Sequence, residues 1–397
     1  MEEGIAAAVI LSGVAAGNAF LWYAGVAMFV LLALIAYLAR AKRRRAARAI
    51  RLARARENPL LGPLREHLWE SEAVFNPAAY YDGTFVHLLY RALGSDGVSR
   101  FGYARSRDGV HFERLPEPVF CPEKLPSVVT PSKFRNPFTS PARPARYDRA
   151  LYASGGGWGG SEDPRMVCMD GRVHITFNIF NGWFSMRVGL LSIDEEDFKN
   201  RRWNWSFNHL SPPGRHKNWV LFPEKIGGRY AVFHNLFHED PSRVQVAYAD
   251  EIEVPDHLPP FESPDPHRLP NRTVAWHNRT RSAGPPPLKT PRGWLVFYQA
   301  MAPNEHHRYK IGAMLLDLDD PSKVLYRSTR PVLEPDAPYE NDWKPGIVYT
   351  SGAIVKDETL FVYYGGGDKT VNVATAHLDT FLEELAHGEH AVLTPAV

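Results

Sequence analysis

Cysteine, net charge and long helical patterns are all scarce in this sequence. Two cysteines among 397 residues exclude a disulfide scaffold. A net charge of +2 provides no polycationic surface, so no nucleic-acid partner is predicted. Aromatic residues are abundant instead, with 10 Trp, 17 Tyr and 21 Phe, and this composition is not that of a disordered chain. The length allows two or three domains, or one large all-β domain.

Charged residues are absent from residues 5–38. This stretch exceeds the roughly 20 apolar residues that a bilayer-spanning helix requires, and its best span runs from Ala19 to Leu38. A cleaved signal peptide is the alternative. However, the chain begins with MEEG where a basic segment is expected, and no convincing cleavage site follows. We therefore expect one retained transmembrane α-helix.

Acidic residues are absent from residues 39–56, which contain nine Arg and Lys residues. Basic residues beside a membrane span mark the cytoplasmic side. The sequence thus predicts a single-pass membrane protein in which residues 1–57 form the helix and its basic flank. The second part, residues 58–397, is expected in the cytoplasm.

Helical periodicity is lacking from residue 58 almost to the end of the chain, and five similar units appear instead. Each has a short apolar strand, a tight turn and an apolar-aromatic strand. The turns are Asp82-Gly83, Asp170-Gly171, Gly227-Gly228, Arg292-Gly293 and Asp357-Glu358. Glycine accepts the positive φ that tight hairpins require. Five units predict an all-β fold, a five-bladed β-propeller. A two-sheet sandwich is the alternative, but it does not require the same hairpin five times.

Polar residues open the repeats, and the first strands of propeller blades converge on the central axis. These residues are Asn76, Asp163, Lys217 with Asn218, Lys289 and Asp368, while Arg91 closes the first repeat. Such groups beside Trp158, Trp219 and Tyr364 are typical of a sugar site, because aromatic faces stack on pyranose rings and polar groups bind hydroxyls. The 16 histidines form no matched ligand clusters, so neither a metal nor another cofactor is predicted.

Six ordered motifs resemble glycoside hydrolase family 130, which comprises β-mannoside phosphorylases and some β-mannosidases built on five-bladed propellers. The motifs are FNPAA with Arg91, RFGYARSRDGVHF, GGSEDPRM, KNWVLFPEKIGGRY, GPPPLKTPRGW and YYGGGDKTVNVATAHLD. The resemblance implies that Asp163 is the general acid and acts through a hydroxyl of the bound mannosyl unit. It implies that Asn76, Arg91 and Asp368 bind that unit. In a phosphorylase, Lys217, Asn218 and Lys289 would bind phosphate.

Three positions depart from the phosphorylase pattern. Lys217 and Asn235 stand where the phosphorylases have arginine, and the family's YHG reads Tyr298-Gln299-Ala300. Lysine offers phosphate a point charge in place of the bidentate fork of arginine. We therefore expect weakened phosphate binding and a slight preference for hydrolysis by an inverting glycosidase.

Two alternatives remain open at this stage. In phosphorolysis, inorganic phosphate is the co-substrate and mannose 1-phosphate is the product. In hydrolysis a second carboxylate serves as base, and Glu239, Asp240 and Glu305 are the candidates. An alternative of another class is a non-catalytic glycan-binding propeller. The expected ligand in every case is a β-mannoside oligosaccharide or glycoconjugate, and the sequence does not predict an oligomeric state.

Overall fold

The computed structural model describes residues 26–35, 37, 51–121, 159–180, 187–211, 216–236, 245–252, 276, 279–302, 304–305 and 307–386. The chain divides into two compact units, Met1–Ala49 and Ile50–Val397.

The first unit contains helical backbone at residues 26–35 and 37, with exposed apolar side chains such as Phe29 and Leu32. The remainder of the predicted span Ala19–Leu38 lies outside the described residues. No helix in the described part of the chain is both long enough and apolar enough to cross a bilayer.

The second unit is composed mainly of short β-strands. The described strands are β1 (Ala53–Arg54), β2 (Ala73–Tyr81), β3 (Val86–Leu93), β4 (Val98–Ser106), β5 (Glu113–Arg114), β6 (Gly159–Met169), β7 (Arg172–Phe180), β8 (Arg187–Asp194), β9 (Ser206–Leu210), β10 (His216–Leu221), β11 (Tyr230–Leu236), β12 (Gln245–Ala249), β13 (Arg279–Ala283), β14 (Leu288–Thr290), β15 (Gly293–Met301), β16 (Lys310–Leu316), β17 (Val324–Arg327), β18 (Val348–Lys356), β19 (Thr359–Gly366) and β20 (Thr370–His377). Short helices are Glu195–Lys199 and Leu378–Ala386, and 3-10 turns are Leu68–Glu70 and Pro338–Glu340.

These strands pair as five antiparallel groups. In chain order they are β2–β5, β6–β9, β10–β12, β13–β17 and β18–β20 with β1. Among the described residues, two parallel pairs, Val98 with Gly159 and Ser99 with Gly160, connect the first group to the second. Strand β1 pairs with β20, so the last group contains strands from both ends of the unit. The second unit is thus mainly β, and the five predicted hairpins are present.

The predicted two-residue turns are confirmed at three of the five hairpins. The Asp82-Gly83 turn is instead a four-residue loop between Tyr81 and Val86, and the Arg292-Gly293 turn lies one residue earlier, since Thr290 pairs with Gly293. Asp170 and Gly171 have φ of 52° and 72°, and both residues of a two-residue type I′ turn require positive φ. Asp357 and Glu358 adopt 48° and 60° without a glycine. The side chain of Asp82 accepts hydrogen bonds from two backbone amides of its own loop, each at 2.7 Å.

Hydrophobic clusters lie between consecutive groups, so that each group packs on the next. Representative buried pairs are Leu89 with Phe177, Val167 with Leu221, Phe233 with Trp294, Phe297 with Val362, and Leu88 with Val373. The last pair joins the fifth group to the first. Each fully buried side chain of this size contributes about 1.5–3 kcal/mol through burial. This packing fixes the first strands of the groups, which carry the site residues.

Candidate active site

Each group has a bulge in its opening strand. The register shifts fall between Phe75 and Ala78, Glu162 and Arg165, Lys217 and Val220, Thr280 and Ser282, and Thr350 and Gly352. A bulge inserts an extra residue into one strand and changes the direction in which a side chain points, and bulges are frequent beside active sites.

Three of these bulges place a predicted site residue in the left-handed region of φ. The values are 48° for Asn76, 49° for Asp163 and 62° for Asn218. Asn and Asp tolerate this region better than other residues with a Cβ. Such a conformation still costs about 1–3 kcal/mol, and it persists where the surrounding structure enforces it, commonly at functional sites. Backbone strain therefore falls on residues that the sequence singles out.

The Asp163 carboxylate is the centre of a buried polar cluster. Its Oδ1 accepts hydrogen bonds from Asn76 Nδ2 at 2.8 Å and Arg91 Nη1 at 3.2 Å. Its Oδ2 accepts from Asn178 Nδ2 at 3.4 Å. Asp163 is 3% exposed and Arg91 is 2% exposed. The structure thus brings together Asn76, Arg91 and Asp163, which are far apart in the sequence.

A second carboxylate, Glu162, lies between two cations of the cluster. Arg91 Nη2 donates to Glu162 Oε1 at 2.9 Å, and Lys217 Nζ donates to Oε2 at 3.4 Å. Arg91 also donates to Ser99 Oγ at 3.0 Å. One guanidinium therefore bridges Glu162 and Asp163, and hydrogen bonds between charged groups of this kind are stronger than neutral ones. Lys217, the phosphate-binding candidate, is thus part of the cluster, where its partner is the Glu162 carboxylate.

Asn178 is a site residue that the sequence analysis missed. Its Nδ2 donates to Asn218 Oδ1 at 3.1 Å as well as to Asp163, and its Oδ1 accepts from the Asn218 amide at 2.7 Å. Asn178 lies on β7, the second strand of its group, and not at the start of a repeat. The available signal was a buried polar residue inside the apolar run ITFNIF, since such a group must find hydrogen-bond partners.

Arg165 links the cluster to the fourth and fifth groups. Its guanidinium donates to the backbone oxygens of Asp163 and Gly284, both at 2.9 Å, and to the Tyr349 hydroxyl at 3.0 Å. Gln299, which replaces the family's histidine, accepts from Ser282 Oγ at 2.9 Å and donates to a backbone oxygen at 2.5 Å. The Gln299 amide is therefore bonded on both sides within the protein.

Asp368 lies in the turn between β19 and β20 with φ of 52°. Its Oδ2 accepts a hydrogen bond from Lys344 Nζ at 2.7 Å. The same group approaches the cluster at Gly365, where an added Cβ would be 2.3 Å from Asn76 Oδ1. Burial acts to lower the pKa of Arg91, but the charges of Glu162, Asp163 and Asp368 outweigh it and raise that pKa. Asp368 therefore lies close enough to interact with the cluster electrostatically.

The cluster keeps Asp163 ionised. Burial acts to raise the pKa of its carboxyl, but the charges of Arg91 and Lys217 and the hydrogen bond from Asn76 lower that pKa to about 2. At neutral pH the unliganded site thus contains a carboxylate. Asn76 Oδ1 is buried and has no hydrogen-bond partner among the described residues, which suits it to accept a hydrogen bond from a sugar hydroxyl.

Other predicted residues lie elsewhere or outside the described part. Lys289 is half-exposed, pairs with Glu224 at 2.5 Å and lies over the Trp294 ring, so the structure does not bring it into the cluster. The expected stacking role of Tyr364 is wrong, because its ring is fully buried in the core and its hydroxyl donates to Glu340 at 2.8 Å. Trp219 at the third bulge is 6% exposed.

The candidates for a base receive no support from geometry. Glu305 pairs with Lys310 at 2.6 Å, and this partner lowers its pKa. Glu239, Asp240 and Trp158 lie outside the described residues. Within the described ranges, no group of three His, Cys, Asp or Glu side chains is arranged to hold a metal ion.

Comparisons with known proteins agree on one family. The model of glycoside hydrolase family 130, described as β-1,4-mannooligosaccharide phosphorylase, matches residues 153–386. A 1,2-β-oligomannan phosphorylase from Thermoanaerobacter sp. (strain X514) is 34% identical over 82% of this chain and 97% of its own length. A β-1,2-mannobiose phosphorylase from the same organism is 32% identical over 82% and 96%. The solved β-1,2-mannobiose phosphorylase from Listeria innocua superposes with a TM-score of 0.60 at 22% identity, over 84% and 99%.

Proposed function

The chain belongs to glycoside hydrolase family 130, and on that premise we propose that it cleaves β-1,2-linked mannosides by phosphorolysis. The observation that carries this proposal is the buried cluster in which Asp163 is held by Asn76 and Arg91 beside Lys217. The cluster combines a carboxylate suited to proton transfer, polar groups that can bind sugar hydroxyls, and cationic side chains that can bind phosphate. Two relatives are phosphorylases of β-1,2-linked mannosides, and this chain aligns with nearly the full length of each.

The preference for hydrolysis that the substituted arginines suggested is therefore replaced by the phosphorolysis alternative. The buried position of Lys217 strengthens the effect of its charge as a phosphate ligand. Lys217 is 7% exposed, and a point charge acts more strongly in a buried, low-dielectric site than at the surface. Lysine is also an established phosphate ligand in proteins, although it lacks the fork of arginine.

The reaction balances with one proton moving between the two substrates. A phosphate oxygen bonds to the anomeric carbon as the bond to the departing sugar oxygen breaks, and the configuration inverts. Monohydrogen phosphate brings one proton, and mannose 1-phosphate dianion has none, so this proton ends on the departing oxygen. Asp163 is ionised in the unliganded site, which suits it to relay this proton through a mannosyl hydroxyl rather than to store one.

The remaining groups bind and orient. Asn76, Arg91 and Asp368 would hold the mannosyl unit, and Lys217 with Asn218 would hold phosphate. Lys289 stays only as a candidate from the family pattern, because its partner in the structure is Glu224. Neither a metal nor another cofactor enters this scheme. Holding both reactants in one site removes the entropy cost of bringing them together during the reaction.

The proposal extends to the arrangement of the five strand groups and to the N-terminal segment. We infer that the five groups are the blades of a propeller, supported by the core pairs that join each group to the next and the fifth to the first. We also propose that the segment before Ile50 anchors the unit Ile50–Val397 to a membrane, with that unit in the cytoplasm; the expected boundary at residue 58 moves towards the N-terminus because β1 belongs to the second unit. The support is the uncharged run at residues 5–38 and the basic segment after it.

Incubation of the purified full chain with β-1,2-mannobiose, with and without inorganic phosphate, tests the reaction. We expect mannose 1-phosphate to form in proportion to mannose, and no turnover without phosphate. Free mannose released at the same rate in both mixtures would refute phosphorolysis and establish hydrolysis. Hydrolysis is the second candidate because the Gln299 amide is bonded within the protein and the family's histidine is missing. β-1,4-Mannobiose as a parallel substrate tests the linkage.

A further inference from the structure

The Asp368 carboxylate lies in a segment with little side-chain support of its own. Three glycines, Gly365 to Gly367, precede it, so neighbouring side chains do not hold this part of the turn. Glycine has the greatest backbone freedom to lose. A carboxylate that binds a specific hydroxyl must nevertheless be held within a fraction of an ångström. The turn therefore needs support from another element.

The loop between β17 and β18 supplies that support at Lys344. The backbone amide of Lys344 donates to the Gly367 oxygen at 3.0 Å, and the Gly367 amide donates to the Ile347 oxygen at 3.0 Å. The Lys344 ammonium bonds Asp368 Oδ2 at 2.7 Å. The Asp368 side chain is 9% exposed and that of Lys344 is 24% exposed. Two main-chain hydrogen bonds and one ion pair thus connect the turn to this loop.

This loop is itself anchored by Glu340. The Glu340 carboxylate is fully buried, accepts two hydrogen bonds from Arg54 at 2.8 Å each, and accepts a third from Tyr364 at 2.8 Å. Lys344 follows four residues later, so its ammonium extends from a loop that is bonded to both β1 and β19. A cation held in this way loses less conformational entropy when it fixes its partner.

Lys344 also balances the charge of Asp368 beside the buried cluster. Arg91 is bonded to both Glu162 and Asp163, and the charge of Asp368 acts on it as well. A carboxylate can accept several hydrogen bonds. With Lys344 on Oδ2, the Asp368 charge is balanced without drawing Arg91 away from Asp163, and the carboxylate keeps acceptor capacity for a sugar.

From these contacts we infer that Lys344 is a positioning residue of the mannoside site, holding Asp368 in place to bind a mannosyl hydroxyl. This inference rests on the proposed function, since it assumes that Asp368 binds the sugar. Lys344 acts through Asp368 and not on the reacting atoms. Its loss should therefore weaken mannoside binding more than phosphate binding.

The test measures the kinetics of phosphorolysis for full-chain Lys344→Met, Lys344→Arg and a matched control, Lys369→Met. Lys369 is a neighbouring lysine whose partner is the exposed Asp342 at 2.8 Å. We expect Lys344→Met to raise the KM for mannobiose about tenfold, the effect of losing a hydrogen bond between charged groups. Its KM for phosphate and its melting temperature should stay close to wild type, Lys344→Arg should recover most of the loss, and Lys369→Met should match wild type.

A double-mutant cycle separates positioning from general stabilisation. In an Asp368→Asn background, Lys344→Met should have no further effect on the KM for mannobiose. Additive effects, an equal rise in both KM values, or an unchanged KM in Lys344→Met would overturn the inference while wild-type phosphorolysis remained intact. A wild-type chain inactive on mannobiose, with or without phosphate, would refute the proposed function and this inference together.

Discussion

Replacing Asp163 with asparagine is expected to abolish turnover while preserving the fold. The amide keeps an oxygen that can accept from Asn76 and Arg91, whose donors lie 2.8 and 3.2 Å from Asp163 Oδ1. Arg91 also keeps its bond to Glu162 at 2.9 Å, so its buried guanidinium stays paired. The predicted cost in the free energy of unfolding is therefore about 2 kcal/mol, which is the contribution of the Asp163 charge.

The catalytic cost should be much larger. An asparagine cannot take up and release a proton, and proton transfer by a positioned group contributes about 10²–10⁴-fold to the rate. We expect kcat to fall by about 10³-fold, which corresponds to about 4 kcal/mol in the activation free energy. The assay follows mannose 1-phosphate release from β-1,2-mannobiose at saturating phosphate, and thermal unfolding checks the fold.

Asp170→Asn is the matched control. Asp170 lies in the turn that ends β6, is exposed, and has φ of 52°, which asparagine also tolerates. This variant should keep wild-type kcat. Proton transfer by a positioned group contributes at least about 100-fold to the rate. If Asp163→Asn retained more than about a tenth of the wild-type kcat, the loss would be too small for such a role, and the assignment of Asp163 would be refuted.

Three further predictions concern the same contacts. Asn178→Ala should lower kcat/KM about tenfold, because it removes the hydrogen bonds that join Asp163 to Asn218; unchanged kinetics would contradict the role of Asn178. Arg54→Met should lower the free energy of unfolding, measured in urea, by about 2 kcal/mol, because it leaves the buried Glu340 carboxylate without its cation. The control Arg229→Met, which removes the exposed pair with Asp250, should cost under about 0.5 kcal/mol. Asp163 has an ordinary pKa of 3.8 and a folded-state pKa of about 2, so the unfolded chain binds more protons between these values. Its contribution, about 2 kcal/mol, is present above pH 4 and is lost as the pH falls towards 2, so the unfolding free energy of Asp163→Asn should depend less on pH there.

Sequence reasoning was most successful where the signal is local. Asp170-Gly171 and Gly227-Gly228 predict hairpins because their residues accept positive φ, and both pairs adopt it. The polar residues that open the repeats pointed to Asn76 and Asp163, and both residues lie at bulges with left-handed backbone. Those features depend on residues adjacent in the chain.

Sequence reasoning failed where the contact partner decides the role. Tyr364 looks like a sugar-stacking aromatic until its hydroxyl is seen to bond Glu340 inside the core. Lys289 follows the family motif, yet its ammonium pairs with Glu224 in the loop between β10 and β11. Asn178 carries no motif and still joins two site residues. In each case the role depends on which side chain folding places beside the residue, and no motif in the sequence marks that partner.

The sequence by itself determined the mainly β class, the five hairpins and the family, and it proposed Asp163 as the carboxylate for proton transfer. The turn residues, the short apolar strands and the ordered motifs are all encoded in consecutive residues. Only the tertiary structure decided which charges share the site: Arg91 between Glu162 and Asp163, Lys217 on Glu162, and Lys344 on Asp368. The reason is physical, because the ionisation of a buried group depends on the distances to charges that folding brings together.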